Sequence, residues 1–210
     1  MPFDLWLAFV AASAVLLVIP GPTLLSVISY SIAHGRRANL PLVAAVVLGD
    51  STALALSLLG LGVLLAASAF WFTVVKTAGG LYLLYLGIKL LRAGVAPAEA
   101  SAAPVAGSRW KLFANTYMVT ALNPKGIMFF VAFLPHFISP SAGFSATHQM
   151  WILAITFVCL AAINATLYAV FASVARDALA SPKALRRFNL AGGSLLSAAG
   201  VWALFAKRPV

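Results

Sequence analysis

The chain has 210 residues, of which 63% are hydrophobic and only 9% are charged, and its mean hydropathy is +1.02. A soluble domain carries about a quarter charged residues, so this composition excludes an ordinary soluble protein and predicts an all-α integral membrane protein. The formal net charge of +10 does not indicate nucleic-acid binding, because the basic residues form short clusters between apolar stretches.

Six apolar segments are long enough to cross a bilayer core, which needs about 20 helical residues. In chain order they are residues 5–33, 40–66, 70–91, 112–137, 149–175 and 188–206. The stretch 93–111, rich in Ala, Pro and Ser, is typical of a flexible linker. It separates a first three-helix repeat, residues 1–92, from a second, residues 112–210, within one membrane domain.

The distribution of basic residues predicts the orientation in the membrane. Ten of the Lys and Arg residues lie in or beside the loops 34–39, 92–111 and 176–187, whereas the opposite side has three. Because cytoplasmic loops carry the excess of positive charge, we expect these three loops in the cytoplasm and both termini outside. The C-terminal sequence AKRPV favours the opposite side for that end of the chain.

The first and fourth segments are each interrupted by proline near the middle of the predicted span. The first contains IPGPT, with Pro20, Gly21 and Pro22, and the fourth contains LNPKG, with Asn123 and Pro124. Proline removes a backbone donor and clashes with the preceding turn, so we expect two broken helices. Such breaks are tolerated at membrane depth only where protein or a water-filled cavity satisfies the freed backbone groups.

The third and sixth segments share a second motif, in which Ala-Gly-Gly is followed after six residues by another glycine. The glycines are Gly79, Gly80 and Gly87 in the third segment, and Gly192, Gly193 and Gly200 in the sixth, 113 residues later. This spacing places small residues on one helix face, where two backbones can approach closely, within one monomer or across a homodimer.

The two motifs together predict an internal repeat, in which each half is a broken helix, a helix and a Gly-rich helix. Three spans per half is an odd number, so the second copy must be inverted in the membrane. Inverted repeats with interrupted helices at matching positions are typical of secondary transporters. Chance similarity between helices rich in small residues is the alternative interpretation.

Two charged residues lie deep in the predicted bilayer, Asp50 in the second segment and Lys125 after the break in the fourth. A charge at this depth is costly and indicates function by default. Asp50 can attract an ammonium group or hold a proton, and backbone amides freed after Pro22 attract a carboxylate. A cavity that offers both suits a zwitterion such as an amino acid. The alternative is a structural ion pair between Asp50 and Lys125.

Three further polar residues are candidates for the same cavity. Asn123 and Asn164 lie in the middle of their segments and can either line a site or join helices. Thr23 can line it or bond to its own helix. The chain has a single cysteine, and its His and acidic residues are scattered, so the sequence predicts no metal site. It also shows no nucleophile with a neighbouring base, so we do not expect an enzyme.

Four motifs in this order resemble the LysE/RhtB family of bacterial amino-acid exporters, in particular its RhtB-like branch for neutral amino acids. They are IPGPT at 19–23, LGD at 48–50, GGLYLLYLGIKLLR at 79–92 and ALNPKGIMFF at 121–130. The resemblance implies a six-span protein of the bacterial inner membrane that exports amino acids or related metabolites by exchange with protons, without a cofactor. It marks as recurrent family positions Pro20, Gly21, Pro22, Asp50, Asn123 and Pro124.

One departure bears on the substrate. Exporters of basic amino acids, as the resemblance suggests, carry a second acidic residue shortly after the Asn-Pro, where this chain has Lys125. We therefore expect a neutral substrate such as threonine, homoserine or a branched-chain amino acid. Two other classes remain as alternatives: an ion or small-solute channel, which a ring of like residues would favour, and a membrane scaffold, which would need no paired breaks.

Overall fold

The computed structural model describes residues 1–19, 21–67, 69–92, 108–139, 142–172, 174 and 181–205, and these form α-helices and short connections without a β-strand. Two 3₁₀ segments, Gly35–Ala38 and Leu134–Phe137, follow the second and sixth helices. The α-helices of the described residues are α1 (Phe3–Val18), α2 (Pro22–His34), α3 (Asn39–Ala67), α4 (Ala69–Arg92), α5 (Arg109–Ala121), α6 (Pro124–Ala132), α7 (Ala146–Val170) and α8 (Pro182–Phe205).

The prediction of an all-helical, multi-pass membrane protein is confirmed. Within the described residues, four stretches are long and apolar enough to cross a membrane, and α1 is apolar but shorter. The four are Pro22–Gly60, Arg109–Phe137, Ala146–Val170 and Pro182–Phe205. Pro20, residues 93–107 of the linker and residues 176–180 of the third basic loop lie outside the described residues.

Both proline motifs interrupt a helix. α1 ends at Val18 and α2 begins at Pro22, while α5 ends at Ala121 and α6 begins at Pro124. Each proline is the first residue of its helix, a position where its fixed φ is favourable and its missing N–H costs nothing. The predicted segments 5–33 and 112–137 are therefore each a pair of helices, and the two breaks bring polar backbone into the interior.

α4 and α8 run antiparallel and form the most extensive helix pair of the described residues. All six glycines of the repeated motif are buried, and five of them contact the other helix of this pair, whereas Gly79 faces Ala132 of α6. A Cβ on Gly200 would lie 2.7 Å from the Gly80 carbonyl oxygen, and a Cβ on Gly193 would lie 2.8 Å from the Gly87 carbonyl oxygen. The Gly-rich faces are therefore occupied within one chain, and a homodimer would have to use a different surface.

The first broken helix lies alongside α7, and the two run in the same direction. Trp6 donates a hydrogen bond to Thr156, Asn164 reaches the carbonyl of Leu17, and Val27 packs with Ala165. α3 packs against α5 and α7 on the other side. The two broken helices thus meet between α3 and α7, at the level of their breaks, where the main aromatic core of Phe9, Phe129, Phe130 and Phe157 also lies.

Candidate functional site

A small cavity lies where the two broken helices meet. Its volume is about 30 Å³, which is room for about two water molecules. Asp50 and Lys125 are the charged residues among those that line it, and Thr23, Asn123 and Asn164 are the polar ones. The remaining lining residues are Leu16, Leu17, Gly21, Leu24, Val46, Gly126, Phe157, Ala161 and Ala165. The sequence candidates of both halves therefore share one cavity.

The end of α1 leaves four carbonyl groups without a helical partner. In an α-helix the carbonyl of residue i accepts from the N–H of residue i+4, so the partners of Leu16 and Val18 would be Pro20 and Pro22. Proline has no N–H, and Gly21 is extended (φ −134°, ψ −175°), which ends the helix. The carbonyls of residues 16–19 must therefore find donors elsewhere.

Three side chains of the second half of the chain supply those donors. The Lys125 ammonium donates to the carbonyls of Leu16 and Ile19, both at 2.9 Å. The Asn164 amide donates to Leu17 at 3.1 Å, and the Tyr168 hydroxyl donates to Val18 at 3.0 Å. Because an unsatisfied carbonyl costs several kcal/mol away from water, these bonds are what makes the break tenable inside a membrane.

Lys125 does not form the ion pair with Asp50 that the sequence suggested as an alternative. Among the described residues no ion pair joins its ammonium to Asp50, although the two charges interact across the cavity. The ammonium is instead held at the negative end of the α1 dipole, where a cation is favourable. Gly21 borders it closely, since a Cβ on Gly21 would lie 3.4 Å from Nζ.

Asp50 faces the cavity from the middle of α3 with a side chain only 8% exposed. In the described part of the chain, no group donates a hydrogen bond to its carboxylate. Next to it, Gly49 packs on α5, where a Cβ would lie 2.7 Å from the Thr120 Cβ, so α3 holds Asp50 close to the second broken helix. A buried carboxylate without a donor can bind an ammonium group or a proton.

Asn123 links the first residues of α6 to the first residues of α2, the helices that follow the two breaks. Its carbonyl oxygen caps α6 by accepting from the Lys125 N–H at 3.1 Å, and its amide donates to Thr23 Oγ1 of α2 at 3.2 Å. The backbone N–H groups at the N-terminus of α2 donate to no capping side chain. The amides at the start of α2, beside the cavity, therefore remain able to attract a carboxylate.

The sequence candidates divide into three groups in the structure. Gly21, Thr23, Asp50, Asn123, Lys125 and Asn164 line the cavity, whereas Pro22 and Pro124 shape the breaks and are exposed. The glycines of the repeat lie in the interface of α4 and α8 or against α6. Tyr168 was missed, although the donors lost at Pro20 and Pro22 are a sequence signal that Leu16 and Val18 need side-chain donors. The described residues contain no group of His, Cys, Asp and Glu that could hold a metal ion.

Comparison with known proteins assigns the chain to a family. The homoserine/homoserine lactone efflux protein of Salmonella typhimurium is 32% identical over 200 residues, which are 95% of this chain and 96% of the relative. The leucine efflux protein of Klebsiella pneumoniae is 28% identical over 137 residues, 65% of each chain. No solved structure matches the chain. The family model of the LysE type translocator matches residues 14–207, and the chain belongs to this family.

Proposed function

We propose that the protein is a secondary transporter that exports neutral amino acids, or closely related metabolites, from a bacterial cell by proton antiport. The observation that carries the proposal is the buried Asp50 carboxylate, which faces a cavity between two broken helices without a hydrogen-bond donor from the described residues. In this role Asp50 binds the substrate ammonium in one state and a proton in another.

The charges of the cavity favour a neutral amino acid. Its lining contains one carboxylate, Asp50, and one ammonium group, Lys125. An amino acid that is zwitterionic, with one charge of each sign, leaves this balance unchanged, whereas lysine or arginine would add an uncompensated positive charge. One relative is named for the efflux of homoserine and homoserine lactone and the other for the efflux of leucine, and homoserine and leucine are neutral amino acids.

The size of the cavity requires a conformational change during transport. A volume of about 30 Å³ holds water but not an amino acid. The described conformation is therefore closed, and substrate binding requires the two broken helices to separate. This behaviour suits alternating access, in which one repeat rocks against the other around a fixed site.

The six-span inverted repeat supplies the two halves that would rock. The 113-residue offset maps Gly80 onto Gly193 and Gly87 onto Gly200. The contact of Gly80 with Gly200 is thus the symmetry equivalent of the contact of Gly193 with Gly87, as expected for an inverted pair. The parallel course of α1 and α7 suits the first and fifth of six alternating spans.

In this topology the protein lies in the inner membrane with loops 34–39, 92–111 and 176–187 in the cytoplasm, and the domains are residues 1–92 and 112–210.

Two experiments test the function. Cells that express the protein are challenged with toxic levels of each amino acid or its analogue, and we expect resistance to a neutral one. In vesicles, unlabelled substrate on the far side should accelerate uptake of labelled substrate. Resistance without such exchange would favour a channel, and no resistance to any amino acid would contradict the proposal.

A further inference from the structure

Two carbonyl oxygens at the end of α1 form an ammonium site that the chain itself fills. Lys125 Nζ lies 2.9 Å from the carbonyl oxygens of both Leu16 and Ile19. An ammonium group has three N–H donors, so these two bonds leave one donor for a further acceptor. Asp50, in the same cavity, accepts from no described group. The site therefore combines two carbonyl oxygens with a nearby carboxylate, which is a set of acceptors complementary to a primary ammonium group.

The amino group of an amino acid is chemically the same ligand as the end of the lysine side chain. Each is a primary ammonium group with one positive charge and three donors. Any substrate amine that reaches this cavity must find acceptors, and the Leu16 and Ile19 carbonyls are already taken by Lys125. A substrate amine that bound at the same point would compete with Lys125 for these oxygens.

The position of the breaks makes one occupant obligatory. If Lys125 left without replacement, two carbonyls would lie unsatisfied at membrane depth, which costs several kcal/mol. Gly21 lies directly beside the ammonium, since a Cβ there would be in van der Waals contact with Nζ at 3.4 Å and with Cε at 3.7 Å. Because glycine has no side chain, the end of the lysine chain is not crowded on this side.

We infer that the carbonyl pair of Leu16 and Ile19 is the subsite for the substrate's ammonium group, and that Lys125 is a tethered competitor that occupies it while the transporter is empty. This inference rests on the proposed function, and it deepens the description of the same site. When substrate binds, its ammonium takes the two carbonyls and Asp50, and the displaced Lys125 ammonium pairs with the substrate carboxylate. After this exchange each ammonium group still faces a carboxylate, and both carbonyls still accept hydrogen bonds.

Chemical rescue of Lys125→Ala in the purified protein tests the subsite without transport. The substitution removes the equivalent of a propylammonium ion and leaves two carbonyls without a donor, so we expect the unfolding temperature to fall by about 5–10 °C. Added n-propylammonium should restore at least half of that loss, and the effect should saturate as its concentration rises. Two probes serve as controls: n-propanol has the same size but no charge, and the larger N,N,N-trimethylpropylammonium has the charge without N–H donors. Neither should rescue.

Matched proteins separate the subsite from a general effect of amines. Lys125→Met fills the same space without a charge, and the wild type fills it with its own ammonium, so neither should respond to propylammonium. Equal rescue by propanol, or an equal response of Lys125→Met, would overturn the inference. If Lys125→Ala does not accumulate, the readout is membrane-inserted protein after expression with propylammonium or propanol, and failure of propylammonium to restore it overturns the inference too.

A displacement measurement tests the competition. Labelled propylammonium bound to Lys125→Ala should be displaced by the amino acid that the growth screen identifies, and not by the corresponding carboxylic acid without an amino group. If the screen finds an exported amino acid that does not displace the probe, the inference fails while the proposed function stands. If propylammonium binds specifically but the screen finds no exported amino acid, the proposed function fails while the ammonium site stands.

Discussion

Replacing Gly200 by alanine tests the packing of α4 against α8. The new Cβ would lie 2.6 Å from the Leu84 nitrogen and 2.7 Å from the Gly80 carbonyl oxygen, whereas ordinary contacts begin at 3.4 Å. Both atoms belong to the backbone of α4 and cannot rotate away, so the helices must move apart by about 0.8 Å at this point. A gap of that size forfeits about a quarter to a half of the local dispersion energy.

We expect Gly200→Ala to cost about 3 kcal/mol, at the upper end of the usual range for overpacking, because the obstacle is backbone. For a chain of this length, that cost lowers the unfolding temperature by about 6–12 °C. The assay is thermal unfolding of the detergent-purified protein.

The matched control is Gly60→Ala, at an exposed position in α3 where a Cβ meets nothing within 4 Å. Alanine favours a helix over glycine by up to about 1 kcal/mol, so this variant should be unchanged or slightly more stable. If Gly200→Ala unfolds at the same temperature as Gly60→Ala, the close approach of α4 and α8 is wrong.

Two further predictions concern side chains that bond to backbone groups. Asn164→Asp replaces the amide that donates to the Leu17 carbonyl with a carboxylate that can only accept. We therefore expect the free energy of unfolding to fall by about 1–3 kcal/mol. An unchanged unfolding curve would contradict this hydrogen bond. Gln149 is fully buried and bonds the backbone of Ser139 and Phe144, so Gln149→Leu should increase proteolytic cleavage between these two residues, and an unchanged cleavage pattern would refute that role.

The breaks and the close helix pair could be predicted from the sequence because their causes are local. Pro22 and Pro124 stop a helix through their own covalent structure, and the spacing from Gly80 to Gly87 places both on one face whatever surrounds them. Asp50 was equally visible, because a carboxyl group in an apolar segment is conspicuous against its neighbours.

The partner of Lys125 could not be predicted in the same way. Its acceptors are the backbone carbonyls of Leu16 and Ile19. Pro20 indicates that the Leu16 carbonyl lacks its helical donor, but no sequence pattern indicates which distant side chain supplies one. From the sequence, the visible partner for Lys125 is therefore the other buried charge, Asp50. The bond of Tyr168 to Val18 was missed for the same reason, because it joins residues that are 150 positions apart.

The proposed transport mechanism requires Asp50 to alternate between the substrate amine and a proton. It is tested most directly with Asp50→Asn reconstituted in vesicles, after thermal unfolding has established that the variant is folded. Wild-type protein should accumulate the exported amino acid in response to an imposed pH gradient. We expect Asp50→Asn to lose this response, since an amide neither takes up a proton nor binds an ammonium as a carboxylate does. A folded Asp50→Asn protein that keeps pH-dependent export would contradict the claim.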